Sequence, residues 1–166
     1  ELGTTAGDAA LTATLDAACL DEDRLVLIGG PPCQAYSLAG RVRNRGKKGY
    51  KPEADERHFL YRQYLKILSE RRPAVFVMEN VKGILSSKVG GSRIFPRILE
   101  DLMQPGRALG GGGTSLRYCL CAMSPSTGTQ LDLLTGTTTD PERYIVRAED
   151  FGVPQARHRV ILVGVR

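Results

Sequence analysis

The segment LVLIGGPPCQ, residues 25–34, joins a short apolar run to a turn that carries one cysteine. The apolar run predicts a buried strand, and the two glycines after it let another molecule approach the backbone closely. The two prolines that follow fix φ and remove backbone donors, so the chain must leave the sheet here. Cys33 is therefore predicted to be displayed at the carboxyl end of a strand, where a thiol can act as a nucleophile.

Predicted strands and helices alternate along the rest of the chain. Helical spacing of apolar residues and short apolar runs predict helices over 59–71 and 93–103 and strands over 74–78, 118–122, 144–146 and 160–163. Pro73 separates the first helix from its strand, and Pro96 has to lie in the first turn of the second helix. This alternation predicts an α/β fold with a parallel sheet, in which reactive groups collect outside the carboxyl ends of the strands.

Length and composition predict one globular unit. The chain has 166 residues, of which 42% are hydrophobic, enough for a core of its own. We interpret 1–166 as part of one catalytic domain, with the motifs in 25–166 and a flexible excursion over about 106–141. The sequence has no apolar run of membrane-spanning length and no signal peptide, which favours an intracellular, cytoplasmic protein without a membrane partner.

The four cysteines are predicted to be reduced thiols. They lack the spacing of a zinc site and the density of a disulfide framework. Cys119 and Cys121 would share one face of a strand, where two small core residues are a simpler interpretation than a ligand pair. No metal site is predicted.

Positive charge is concentrated just after Cys33. The net charge is +5, and the segment 41–51 holds six basic residues and no acidic one: Arg41, Arg43, Arg45, Lys47, Lys48 and Lys51. A charge run alone is more often a solvated loop. Beside a reactive thiol, it favours contact with the phosphates of a nucleic acid.

A cysteine, a carboxylate and arginines at neighbouring strand ends suit chemistry on an electron-poor heterocycle. A thiolate can add to such a ring, a carboxyl group can hydrogen-bond a ring nitrogen, and an arginine can hold a ring carbonyl. Glu79 follows the predicted strand 74–78, and Arg157 and Arg159 precede or begin the last one. Cytosine fits this set, because attack at C6 makes C5 able to take a methyl group from a sulfonium donor.

Three motifs occur together in a characteristic order. They are GGPPCQAYS at 29–37, ENV at 79–81 and QARHR at 155–159. In this combination the chain resembles the DNA cytosine-5 methyltransferase family. The resemblance implies a Rossmann-like S-adenosylmethionine-dependent methyltransferase sheet with flanking helices, and an enzyme that methylates C5 of a flipped cytosine in double-stranded DNA through a covalent Cys33–C6 intermediate.

The resemblance also implies a role for each matching residue. Cys33 would be the nucleophile, Glu79 would contact N3 and the exocyclic amine of the cytosine, and Arg159 would hold its O2. Arg157 would support the pocket and nearby phosphates, and His158 is placed at the surface. Further implied contacts are with the DNA substrate for Gln34, Ser37, Asn80, Arg41 and Arg43, and with S-adenosylmethionine for Pro32 and Leu60.

The chain departs from the family pattern at both ends. The glycine-rich motif that binds S-adenosylmethionine has no counterpart in residues 1–24, and the target-recognition domain would follow residue 166. We therefore expect an incomplete fold that lacks the first strand region and the target-recognition domain. This segment alone is expected to be inactive.

Other functions stay open on these residues. A transfer RNA cytosine-5 methyltransferase of the same fold would carry nearly the same catalytic motifs. A non-catalytic nucleic-acid-binding remnant would not need Cys33, and a redox thiol would need a resolving cysteine at motif spacing. The motifs do not separate a restriction-modification role from an orphan role, and they leave target sequence and oligomeric state open.

Overall fold

A computed structural model describes residues 4–18, 21–31, 60–89, 91–111, 115–123 and 140–166. Within these ranges the helices are α1 (Thr5–Ala17), α2 (Leu60–Arg71), α3 (Phe95–Met103) and α4 (Pro105–Ala108). The strands are β1 (Val26–Gly29), β2 (Val75–Val81), β3 (Lys88–Val89), β4 (Ser92–Arg93), β5 (Cys119–Ala122), β6 (Ile145–Arg147) and β7 (His158–Val165). Each helix in the described ranges is too short or too polar to cross a bilayer.

The main sheet is mixed, with strand order β1-β2-β7-β5 and with β6 also paired to β7. β1 and β2 are parallel, whereas β7 is antiparallel to β2, β5 and β6. The predicted α/β class is confirmed, but the expectation of a parallel sheet is wrong. An apolar run does not reveal the direction of its strand, and β6 and β7 form an antiparallel pair joined by only ten residues, 148–157.

The core lies on one face of this sheet. Phe76 and Met78 of β2 and Leu162 of β7 are buried there against α2 and α3, in one continuous apolar cluster. The other face is open among the described residues, and Ile28 of β1 is 75% exposed on it. The described residues therefore form a sheet with helices on one side.

The two main helices follow their sequence signals. α2 buries Tyr64, Leu65 and Leu68, and it ends shortly before Pro73, which disfavours helical backbone in the residue ahead of it. α3 buries the apolar residues of its inner face, and Pro96 lies in its first turn as predicted. Both predicted helices are confirmed to within two residues at their starts.

Helix α1 was not predicted from the sequence. It begins after Thr4, whose hydroxyl accepts a hydrogen bond from the Gly7 backbone N–H at 3.1 Å. It lies along α2 through ion pairs, Lys66 to Asp8 at 2.9 Å and Arg71 to Asp16. Because α1 has no buried residue, its sequence has no strong apolar periodicity to reveal it.

The Phe76 ring occupies the space in which a side chain at position 164 would lie, so replacing Gly164 by alanine should lower the stability of the fold. The two residues are directly opposite in the β2–β7 pair, and a Cβ on Gly164 would overlap the Phe76 ring. We expect Gly164→Ala to destabilise the full-length gene product by about 1–3 kcal/mol, because the ring must leave its packed position. Thermal unfolding measures this as a lower melting temperature.

A Phe76→Leu background is the control for this prediction. Leucine removes the ring atoms that a Cβ at position 164 would overlap, so Gly164→Ala should lower the melting temperature less in Phe76→Leu than in the wild type. Equal melting temperatures for Gly164→Ala and the wild type would contradict the packing argument.

Candidate active site

Glu79 and Arg159 form an ion pair on one face of the sheet. In the β2–β7 register, Val81 is opposite Arg159 and Glu79 is opposite Ile161. Glu79 and Arg159 are thus diagonal neighbours whose side chains point to the same face. The Arg159 Nε lies 2.7 Å from Oε1 of Glu79. The structure brings together two groups that the motifs place eighty residues apart in sequence.

The turn after β1 packs against the Glu79 carboxylate. Gly29 is level with Met78 in the parallel β1–β2 pair, so Gly30 is level with Glu79. A Cβ built on Gly30 would lie 3.1 Å from Oε2 of Glu79, which is tighter than ordinary van der Waals contact. Because Gly30 has no side chain, the Glu79 carboxylate has room to lie against its backbone. The sequence predicted close approach of another molecule at the two glycines, whereas the group that lies against Gly30 in the structure is the chain's own Glu79 carboxylate.

Asn80 ties the same turn to β2 from the opposite face. Its side chain is buried, and its Nδ2 donates to the Pro31 carbonyl oxygen at 3.3 Å. Its Oδ1 accepts from the Val81 backbone N–H at 2.9 Å, so both ends of the amide are engaged. Asn80 thus holds the backbone that leads into Cys33 beside the residue that carries the carboxylate, Glu79.

Among the described residues, the hydrogen bonds of the Arg159 guanidinium leave donors for a ligand. Its Nε is engaged by Glu79, and its Nη1 donates to the His158 carbonyl oxygen at 2.9 Å. A guanidinium has five N–H donors in a planar fork. Within the described residues, the Nη2 group has no hydrogen-bond partner. It can donate to a carbonyl oxygen while Glu79 holds the fork in place.

Arg157 and His158 lie next to this pair but outside it. The Arg157 side chain is exposed, and the pair of Glu79 and Arg159 does not include it. The His158 side chain is partly exposed, and its Nε2 lies 2.6 Å from Oε1 of Glu149. The pKa of the Glu149 carboxyl group is lowered, mainly by a hydrogen bond from the backbone N–H of Glu149 itself and next by the hydrogen bond with His158. This contact helps to close the loop between β6 and β7.

The remaining predicted site residues are outside the described part of the chain. This applies to Pro32, Cys33, Gln34, Ser37, Arg41 and Arg43 and to the side chain of Leu60. Leu60 itself is the first residue of α2. In the described residues, no three of the histidine, cysteine, aspartate and glutamate side chains are grouped as metal ligands would be.

Known proteins with similar sequences are methyltransferases. The chain is 37% identical over 139 residues to the type II methyltransferase M.Bpa9945I of Bacillus paralicheniformis. This alignment covers 84% of this chain and 24% of the relative. The chain is 33% identical to M.BspRI of Lysinibacillus sphaericus, over 85% of this chain and 23% of the relative. The chain thus spans about a quarter of the length of these curated relatives.

A solved structure shares the fold. It is described as a DNA modification methyltransferase encoded within an E. coli prophage, and it superimposes with a TM-score of 0.51 at 23% sequence identity. The match covers 95% of this chain and 30% of that one. At this identity the similarity supports the fold alone.

A model of the C-5 cytosine-specific DNA methylases matches residues 12–106, which is more than half of the chain. The matched range includes Glu79 and Asn80 and the turn that leads into Cys33. Together with the relatives, this match shows that the chain belongs to the C-5 cytosine-specific DNA methylase family.

Proposed function

We propose that the protein methylates C5 of cytosine in double-stranded DNA, with Cys33 as its covalent nucleophile. The observation that carries this proposal is the Glu79–Arg159 pair, seated against Gly30 at the carboxyl end of β2. A carboxyl group and a guanidinium side by side suit the polar edge of a cytosine. The carbonyl oxygen of Pro31, two residues before Cys33, accepts a hydrogen bond from Asn80, which is the residue next to Glu79.

In the proposed reaction each residue acts on the base. The Cys33 thiolate adds to C6 of the flipped cytosine, which forms an S–C6 bond and moves electron density to C5. In the complex with the base, a protonated Glu79 carboxyl group donates to N3 and accepts from the exocyclic amine, and Arg159 donates to O2, so that charge developing on the ring is stabilised. After C5 has taken the methyl group, its proton passes to a water molecule, the C5–H electron pair restores the C5–C6 double bond, and the S–C6 bond breaks to release the thiolate.

S-adenosylmethionine is the methyl donor of the family and would supply an electrophilic methyl group. The polar groups that converge at the end of β2 suit the cytosine, and no described side chain is assigned to the cofactor. Pro32 and the Leu60 side chain, which we propose as its contacts, are outside the described residues. The residue roles above therefore concern the base alone.

The proposed partner is duplex DNA, in the cytoplasm and at the nucleoid. The curated relatives are named type II methyltransferases, which supports a restriction-modification role for this protein. Gln34, Ser37 and the basic segment 41–51 would contact the strand around the flipped base, and Arg157, exposed beside the pair, would contact a phosphate. Transfer RNA is the alternative substrate.

The test is methyl transfer by the full-length gene product. The protein is incubated with labelled S-adenosylmethionine and either mixed-sequence duplex DNA or transfer RNA, and 5-methylcytosine is identified by mass spectrometry. We expect label in duplex DNA only. Label in transfer RNA alone would establish the other substrate. Salt-dependent DNA binding without any label would support a non-catalytic remnant and overturn the proposal.

A further inference from the structure

Tyr64 of α2 contacts both strands that lead to the candidate site. Its hydroxyl donates towards the Val77 carbonyl oxygen at 3.0 Å and the Leu27 carbonyl oxygen at 3.3 Å. Leu27 belongs to β1 and Val77 to β2, which are neighbouring parallel strands. A hydroxyl has one proton, which is shared here between carbonyls of the two strands. The side chain therefore links β1 and β2 directly.

The Tyr64 ring also packs against the end of β1. A Cβ built on Gly29 would lie 2.8 Å from Cε2 of Tyr64, so the ring edge occupies the space beside this glycine. Gly29 is the residue before Gly30, whose backbone lies against the Glu79 carboxylate. Tyr64 thus touches the chain one residue away from the contact that seats Glu79.

The two carbonyls lie one register position apart, because Leu27 is level with Phe76 and Val77 is level with Ile28. Leu27 comes two residues before Gly29, and Val77 comes two residues before Glu79. A change in the separation of β1 and β2 at this level would move the turn that leads into Cys33 relative to the carboxylate. Burial raises the pKa of the Tyr64 hydroxyl well above its usual range, so the hydroxyl stays protonated and remains a donor.

We propose that Tyr64 is a positioning residue for methyl transfer, which sets the distance between the strand end that carries Glu79 and the turn that leads into Cys33. The inference rests on the proposed function. It is carried by the shared hydroxyl contact and by the close packing on Gly29. Among the described residues, Tyr64 reaches this end of the sheet through its contacts with β1 and β2, so we infer that it acts through the two strands.

Tyr118 provides a matched control. Its ring packs edge-on against Phe76 at a centroid distance of 5.0 Å, and Tyr64 packs edge-on against the same ring at 6.0 Å. The buried Tyr118 hydroxyl donates to the Pro73 carbonyl oxygen at 2.8 Å, just before the amino end of β2. Replacing either tyrosine by phenylalanine removes one hydroxyl from the same core, but only Tyr64 lies at the site end of β2.

The experiment compares Tyr64→Phe with Tyr118→Phe in the full-length gene product. We expect both variants to lower the melting temperature. Tyr64→Phe should slow single-turnover methylation of duplex DNA about tenfold, because small misplacements of reacting groups cost this much or more. Its Kd for DNA should change by less than about twofold, since the hydroxyl does not face the substrate. The rate with Tyr118→Phe should stay close to the wild-type rate.

The formation of a covalent adduct with 5-fluorocytosine DNA is a second readout. The rate of adduct formation should fall for Tyr64→Phe by the same factor as the rate of methyl transfer, because forming the S–C6 bond depends on the same alignment of Cys33 and the base. An active wild-type protein for which Tyr64→Phe and Tyr118→Phe have equal rates overturns this inference alone. A wild-type protein that methylates neither DNA nor transfer RNA overturns both the proposed function and this inference.

Discussion

Replacing Cys33 by serine should abolish methyl transfer by the full-length gene product. A serine hydroxyl is not ionised at neutral pH and is a far weaker nucleophile than a thiolate, so the S–C6 bond has no effective substitute. We expect the rate to fall by at least about 10³-fold, the scale on which covalent nucleophiles contribute. Labelled methyl transfer measures the rate, and a denaturing gel with 5-fluorocytosine DNA shows whether the covalent adduct forms.

Cys121→Ser is the control for this experiment. Burial raises the pKa of the Cys121 thiol, which makes it a poor nucleophile at neutral pH. Cys121 lies in β5, which pairs with β7 on the side away from β2. This variant should still form the adduct. An adduct that persists in Cys33→Ser and is lost in Cys121→Ser would refute the assignment of Cys33.

Glu79→Gln should lower kcat/KM for cytosine methylation by about 10²–10³-fold, the effect of losing one preorganised group around a developing charge. Glutamine has the same size but cannot hold Arg159 by charge, so both groups that face the base are disturbed. Stability should hardly change. Glu79 is 45% exposed, and ion pairs of this kind contribute only about 0–1 kcal/mol. Steady-state kinetics and thermal unfolding together separate the two effects.

Glu149→Gln is the matched variant for this prediction. Glu149 is a carboxylate of similar exposure, paired with His158 in the loop before β7 and not with Arg159. Its replacement should leave kcat/KM within about twofold of the wild type, as expected for a surface substitution away from the reaction. If both variants lost activity to the same degree, the effect would come from the loop and not from the base pocket.

The sequence predicted most of the elements that carry the site. β1, α2 and β7 follow apolar patterns, and the structure confirms that each element forms. The prediction that β1 is buried is wrong for the described residues, because Val26 and Ile28 are exposed on the open face of the sheet. β2 continues through Glu79 to Val81, three residues beyond the predicted strand, because its polar end pairs with β7. In the sequence, the polar pair Glu79 and Asn80 after an apolar run resembles the end of a strand. In the structure, pairing with β7 continues the strand through these two residues. Helix α1 was missed because it has no buried residue, and its contacts with α2 include ion pairs that leave no apolar periodicity in the sequence.

The sequence alone determined the family, because a cysteine after two glycines and two prolines, a carboxylate and arginines in a fixed order already define a cytosine-5 methyltransferase pattern. Which of these groups touch was decided by the tertiary structure. The antiparallel register of β2 and β7 places Arg159 on Glu79, the parallel register of β1 and β2 places Gly30 against the carboxylate, and α2 places Tyr64 across both strands. Register depends on contacts between residues far apart in the chain, and such contacts leave no local pattern in sequence.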